Sequence, residues 1–281
     1  MLSILVLSYN HPEITQRAVQ SALSWSAPEN IFLIHNGSLE KNVHRLQTTF
    51  PNIHHKVILE NKGYTSGFNQ GIEAVFQASK NPWILFLTND CELIHLPTDL
   101  PPKPGLWAPQ VLLRNTGRVH SLGGLFTPHL AKLQHLVKLQ HLEDLSQTQT
   151  LAWPNSLLKS YFYVPGTAFY LHRQVWQSPA HSPLRVDESL HTYWEDVEYS
   201  VLVQKNKMTT GVFPTCTIRH GVGKTCHKDP FYTNFLFQRN RKKISRKYCP
   251  IYLRPILEIQ LLHLKLKPVL RKFLVNTNSN E

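Results

Sequence analysis

Apolar residues follow two alternating rhythms over about the first ninety positions. Short continuous runs at Leu2–Ser8, Ile31–Ile34, Lys56–Leu59 and Trp83–Leu87 have the length and β-branched content of buried strands. Between them apolar positions recur at helical spacing. Asn10-His11-Pro12-Glu13 supplies a cap, a first-turn proline and an acid ahead of Ile14, Ala18, Ala22 and Leu23. A weaker set follows at Val43, Leu46 and Phe50, and a third at Ile72, Val75 and Phe76, in a helix predicted over 68–78. Asn61–Gly67 reads as a loop. Strands apolar throughout and each followed by a helix predict an α/β fold, a parallel sheet covered on both faces. Ligands bind such sheets at the carboxyl ends of the strands, and four polar clusters fall there: Ser8-Tyr9-Asn10, His35–Ser38, Asn61–Gly67 and Asn89–Glu92.

The rhythm changes after the proline-rich loop at 97–104. Trp107–Leu113 and Arg118–Leu122 predict short strands, Tyr161–Leu171 a strand containing Gly166, and Thr210–Ile218 another. A local repeat, KLQHLV then KLQHLE from Lys132, predicts an exposed or partner-covering helix. The string from Arg219 to Thr225 is not a phosphate-binding P-loop. The glycine needed five positions before Gly223 is Ile218, and no apolar helix follows Thr225. At 191–200, Glu195 and Asp196 follow Tyr193 and Trp194 where Val197, Val201 and Leu202 begin a helical repeat. Acids in a first helical turn are favoured by the macrodipole, while a carboxylate in an aromatic pocket can serve as a general base. Both readings stand on these residues alone.

At 281 residues, with 42% hydrophobic and 17% charged, the chain can bury a full core as one large domain, with or without an extension. The net charge is +12, but eleven Lys or Arg and one acid, Glu258, lie between Arg239 and Lys272, so that segment alone carries +10. The basicity belongs to the tail. Together with sparse aromatics and no recognisable module, that argues against nucleic-acid binding. In residues 241–275, Arg241–Lys247 is followed by leucines and isoleucines that Pro255 and Pro268 are expected to divide into short pieces. Such a segment suits either an anionic membrane surface or packing on the main domain. Met1–Ser8 has no basic leader, and no apolar run approaches the roughly 18 residues that span a bilayer, so a cytoplasmic, at most peripheral, protein is expected. Cys91, Cys216, Cys226 and Cys249 are scattered, which points to free thiols; Cys216, His220, Cys226 and His227 fit no common zinc spacing.

Several of these stretches occur in a recognisable order. They are Leu5–Asn10, Asn36-Gly37-Ser38, Asn61–Gly71, Leu85–Asp90, Val164–Ala168, Val186-Asp187-Glu188 leading to Tyr193–Glu198, His220-x-x-Gly-x-Thr225, and Arg239-Asn240. Together, over roughly residues 2–245, they resemble glycosyltransferase family 2, inverting enzymes of the GT-A fold, and most nearly its rhamnosyltransferase-like branch that builds bacterial surface polysaccharides. The resemblance implies a GT-A (Rossmann-like), mostly parallel sheet flanked by helices over 1–240, with a nucleotide-binding half at 1–95 and an acceptor half at 96–240. Residues 241–281 are then a basic amphipathic helical extension.

It further implies sugar transfer from a UDP- or dTDP-sugar to a saccharide or lipid-linked saccharide acceptor, assisted by Mn2+ or Mg2+. A non-catalytic saccharide- or nucleotide-binding protein on the same fold is the alternative. By resemblance Asp196 is the general base with Glu195 as its helper, and Asp90 holds the metal with His220 or, as a further possibility, Glu92. The donor falls to Ser8, Tyr9, Asn10, His35, Asn36, Asn61, Gly63, Gly67, Asn69, Asn89 and Arg239, the acceptor to Gly166, Tyr193 and Trp194. Two positions depart from the family. His35 stands where an aspartate usually contacts the base and ribose, and Thr88 where an Asp or Asn usually precedes the metal-binding aspartate by two.

Overall fold

A computed structural model describes residues 1–136, 160–177, 183–221 and 229–277, with side chains as far as 266. The predicted alternation is present: β1 (Leu2–Ser8), α1 (Pro12–Leu23), β2 (Ile31–Asn36), α2 (Glu40–Thr49), β3 (His54–Ile58), α3 (Tyr64–Ala78) and β4 (Trp83–Thr88). β3, β2, β1 and β4 pair in parallel in that order, so their carboxyl ends share one edge. The chain continues through β5 (Cys91–His95), β6 (Gly105–Leu113), β7 (Val119–Ser121), β8 (Gly124–Thr127), β9 (Lys132–His135), β10 (Tyr161–Tyr163), β11 (Ala168–His172), α4 (Arg173–Trp176), α5 (Glu195–Lys205), β12 (Thr209–His220), α6 (Pro230–Tyr248) and α7 (Arg254–Thr277). β11 joins the sheet antiparallel to β4, and the order runs on through β6, β12 and β5 to make a nine-stranded mixed sheet with β7 beside β6. One apolar core lies under α3 and α5 and includes Phe68, Phe86, Phe169 and Tyr199; the other lies under α1 and α2 and includes Val6, Val19, Leu33 and Leu46.

Four expectations change. α3 begins at Tyr64, four residues early, because Gly63 at φ 99° turns the chain into it and Gly67 packs against Asn36, where a Cβ would come within 2.6 Å of the Asn36 amide. Glycine weakens a helix on propensity alone, and a close packing contact overrides that here. The stretch 161–171 is not one strand. β10 pairs with β8 in a small three-stranded sheet and β11 with β4 in the large one, so the chain changes sheets at Val164–Thr167. Lys132–His135 is a strand antiparallel to β8, not a helix, and the repeat from residue 137 onward lies outside the described residues. Finally, Pro255 sits in the first turn of α7, where its missing N–H has no partner to lose, and α7 runs past Pro268 without dividing. α6 crosses residue 240 unbroken, with Ile244 and Tyr248 buried in the main core.

Candidate functional site

The loop ahead of α5 carries unusual backbone strain. His191, Tyr193 and Trp194 all have positive φ (63°, 66° and 73°), a conformation non-glycine residues rarely adopt. Asn240, fully buried on α6, holds the loop by donating to the carbonyls of Leu190, Thr192 and Tyr193 at 2.8, 2.8 and 2.9 Å. Arg239 donates to the Ser189 and Leu190 carbonyls and, through Nε, to Asn240. The phosphate fork expected of Arg239 is thereby mostly engaged, and the residue works as a loop clamp. Asn240→Leu is expected to leave three carbonyls without this donor, lowering stability by roughly 3 kcal/mol. A thermal melt of the variant checks it.

The strained turn delivers Glu195 and Asp196 to the N-terminus of α5, where the two carboxyls are not equivalent. Asp196 accepts from the Gly166 N–H at 3.1 Å and from its neighbour Val197 N–H at 2.8 Å. Glu195 is buried, and its Oε2 has no hydrogen-bond partner. Burial, and then the charge of Asp196, hold the Glu195 carboxyl well above its usual range. Burial also raises Asp196, but the amides of Gly166 and Val197 oppose it. Asp196 therefore ionises first, and Glu195 keeps its proton. Because the folded state retains that proton while the unfolded chain releases it above the ordinary carboxylate range, stability from Glu195 is full at low pH. It is lost progressively as pH rises from that range up through the raised value of the folded state. Glu195→Gln, which cannot ionise, is expected to raise Tm more near pH 8 than near pH 5 in paired thermal melts.

Asp90 lies just past β4, buried to 4% exposure. Burial works to raise its carboxyl, but hydrogen bonds from His220 and Thr88 prevail and leave it below its ordinary value. Thr88 Oγ1 donates to Oδ1 at 2.7 Å, and His220 Nε2 lies 3.2 Å from Oδ2. Thr88 thus orients the aspartate. Asp90, Cys91 and His220 bring their ligand atoms within 4.8 Å of one another, the one such group among the described residues. Burial pushes the Cys91 thiol far up, and soft sulfur suits neither Mn2+ nor Mg2+, which leaves an oxygen and a nitrogen ligand. That pair fits a divalent cation sharing its remaining positions with phosphate oxygens. Glu92 is turned elsewhere, 2.8 Å from Arg114 and within 4 Å of Arg17 and Arg219, so the structure removes it from the metal set.

Gly166-Thr167, at the sheet change, joins the two halves. Gly166 touches Asp196, while the Thr167 carbonyl accepts from the Thr88 N–H at 2.9 Å and lies 3.3 Å from the Thr88 hydroxyl, whose proton goes to Asp90. Tyr64 donates to the Gly166 carbonyl at 2.6 Å. Burial above all pushes its phenol up, and its hydrogen bond to Gly166 places it beside Asp196.

The remaining predicted residues divide. At the strand ends Asn10 accepts from Leu39 N–H and Asn42, and its own N–H donates to Ser38, so it braces the loop; Tyr9 is exposed beside it. Asn36 donates to the Gly63 carbonyl, and Asn61 accepts from the Gly63 N–H, which shapes the turn into α3. Gly63 is required there: a Cβ would meet the His191 ring at 2.3 Å. Ser8 and Asn89 are engaged inward, both on Thr15. Asn69 is buried and paired with the backbone of Val186 and with Glu188, which ties α3 to that segment and turns it away from a ligand. Trp194 is 3% exposed, packed on Phe126 and Phe237, so it belongs to the core and not to an acceptor surface; Tyr193 packs on Phe237.

At His35 the neighbours assign a tautomer. His55 Nε2 lies 2.9 Å from the Phe50 carbonyl, which only accepts, so that nitrogen carries the proton. His55 Nδ1 is then a lone pair and receives the His35 Nε2 proton at 3.0 Å, leaving His35 Nδ1 a buried acceptor with no partner. Burial and then His55 lower His35 to about 4, so it is neutral at ordinary pH. It is an acceptor, as the aspartate it replaces would be.

Three more residues were not legible in the sequence. His220 and His120 rings lie 5.9 Å apart, His120 and His135 6.4 Å, and His135 Nδ1 is 2.8 Å from the Tyr163 hydroxyl. Burial, and then the charge of Asp196, push that hydroxyl up. A row of imidazoles therefore runs from the partner of Asp90 toward Asp196. It is built from β7, β9 and β12, whose lone histidines carry no sequence signal.

The architecture, a mixed α/β sheet with its polar loops at the carboxyl edge, is similar to that of the GT-A glycosyltransferases. Residues 3–101, about a third of the chain, match the family model Glycosyl transferase family 2. The fold is similar to that of GalNAc-T7 crystallised with UDP, GalNAc and Mn2+, with TM-score 0.61 at 13% identity over 90% of this chain and 48% of that one. It is also similar to S. aureus TarS, with TM-score 0.51 at 10% identity over 94% and 43%. The chain spans about half or less of the length of these structures. No curated protein matches the sequence.

Proposed function

We infer that the chain is an inverting, metal-dependent glycosyltransferase. It moves a sugar from a UDP- or dTDP-linked donor, deoxyhexoses included, to a saccharide or lipid-linked saccharide acceptor of the cell surface. The observation that carries this reading is the Gly166-Thr167 dipeptide, which holds a carboxylate with base character beside a buried Asp–His pair fit for a cation. Asp196 takes the proton of the attacking hydroxyl, and protonated Glu195 donates a hydrogen bond beside it. Asp90 and His220 hold Mn2+ or Mg2+, which when bound offsets the charge of the departing diphosphate. GalNAc-T7 holding UDP and Mn2+ on a similar fold supports the same assignment. His35 Nδ1 offers its lone pair to an N–H of the nucleobase, and the loops at Tyr9 and Asn61–Gly63 border the nucleotide. The histidine row lines the path between cation and base.

The test offers UDP-, dTDP- and GDP-sugars with Mn2+ or Mg2+ and saccharide acceptors to the wild type and to Asp90→Ala and Asp196→Ala. Released nucleotide and thermal shift are measured. Turnover lost in both variants is expected; binding without turnover on every donor would make the chain a nucleotide- or saccharide-binding protein instead.

A further inference from the structure

α7 is apolar on two opposite faces. Its inner face, Leu257, Leu261 and Leu264, packs with Leu253 just ahead of the helix against Ala131 and Cys249. With that demand met, a docked helix ordinarily turns polar residues outward. Here Ile256, Ile259, Leu262 and Leu266, spaced by three, three and four, form a second stripe in solvent, with Ile259 71% exposed, and Ile251 ahead of the helix is 77% exposed. The helix is clamped in this orientation. Arg246 of α6 donates to Glu258 at 2.7 Å, which engages the only acid between Arg239 and Lys272. Of the eleven cations in that stretch, Lys243, Arg246 and Lys247 pair with Asp187, Glu258 and Glu198, whereas Lys242, Arg254 and Lys265, among the described side chains, pair with no acid.

We propose that the outer face of α7 docks on an anionic lipid surface, with Ile256, Ile259, Leu262 and Leu266 in the headgroup–acyl boundary and the lysines and arginines among the phosphates. Charge selects this occupant. A second copy packed by the same face would bring like-charged segments together, whereas anionic lipid offsets them. Nucleic acid rewards the cations but not the aliphatic stripe. No helix among the described residues is long and apolar enough to cross a membrane, so the helix lies along the surface. The site proposed above does not enter this argument, and the two can fail separately.

The experiment cosediments the full chain with phosphatidylcholine vesicles and with vesicles containing about one-third phosphatidylglycerol, at low and high salt. Binding is expected to the anionic vesicles only. It should weaken at high salt, and Ile256→Ser, Ile259→Ser and Leu262→Ser combined should weaken it about tenfold or more without lowering Tm. The stripe is outside the core, so the variant folds; circular dichroism verifies that. Three results would overturn the proposal: no binding to anionic vesicles, binding that ignores the serine changes, or equal binding to neutral ones. A wild-type dimer in sedimentation velocity that the serine variant abolishes would assign the face to a second copy.

Discussion

Replacing Asp196 with asparagine is expected to lower sugar transfer by about 10²–10⁴-fold while leaving nucleotide binding within a few fold. Asparagine keeps the size and one acceptor oxygen, so it retains one of the two bonds from the Gly166 and Val197 amides, which reach different oxygens of Asp196, and the turn at the start of α5 is expected to survive. What it lacks is a basic lone pair for the acceptor proton. Glu195 does not substitute for it, because burial and its missing partner keep that carboxyl protonated where Asp196 is ionised. The measurement is transfer rate beside nucleotide affinity by calorimetry; equal rates in wild type and variant would remove Asp196 as the base.

Asp90→Asn is expected to act at the other end. Removing the carboxylate takes away the only anionic oxygen ligand in the Asp90–Cys91–His220 group and leaves His220 without a charged partner at 3.2 Å. The cation's contribution to the leaving group is several kcal/mol, so a loss of about a thousandfold in transfer is expected, with metal-dependent strengthening of nucleotide binding abolished. Titrating Mn2+ against nucleotide affinity in wild type and variant checks it. A variant whose affinity still rises with Mn2+ would move the cation elsewhere.

Much of this protein is visible before folding because its signals are local. Continuous apolar runs between helical repeats define β1 to β4, and parallel pairing then places Ser8, Asn36, Asn61 and Asp90 on one edge with no further information. The Glu195-Asp196 pair is visible for the same reason, as acids at a helix start. Signals that depend on a distant partner misled: Gly67 looked like a loop glycine because its reason for being there is Asn36, and Lys132–His135 looked helical because β8 is not its neighbour in sequence.

The sequence alone thus determined the layered α/β architecture, the loops that form the site and the pair of acids within it, since each rests on spacing along one stretch of chain. Only the tertiary structure decided which of the two acids is the more readily ionised. That choice depends on two amide donors to Asp196, one of them from Gly166, thirty residues away, and on the burial of Glu195. It also decided that Glu92 turns to arginines, that Arg239 and Asn240 hold a strained loop, and that His35 is an acceptor. Protonation, tautomer and ligation are set by the atoms within a few ångströms, and those neighbours are chosen by the fold.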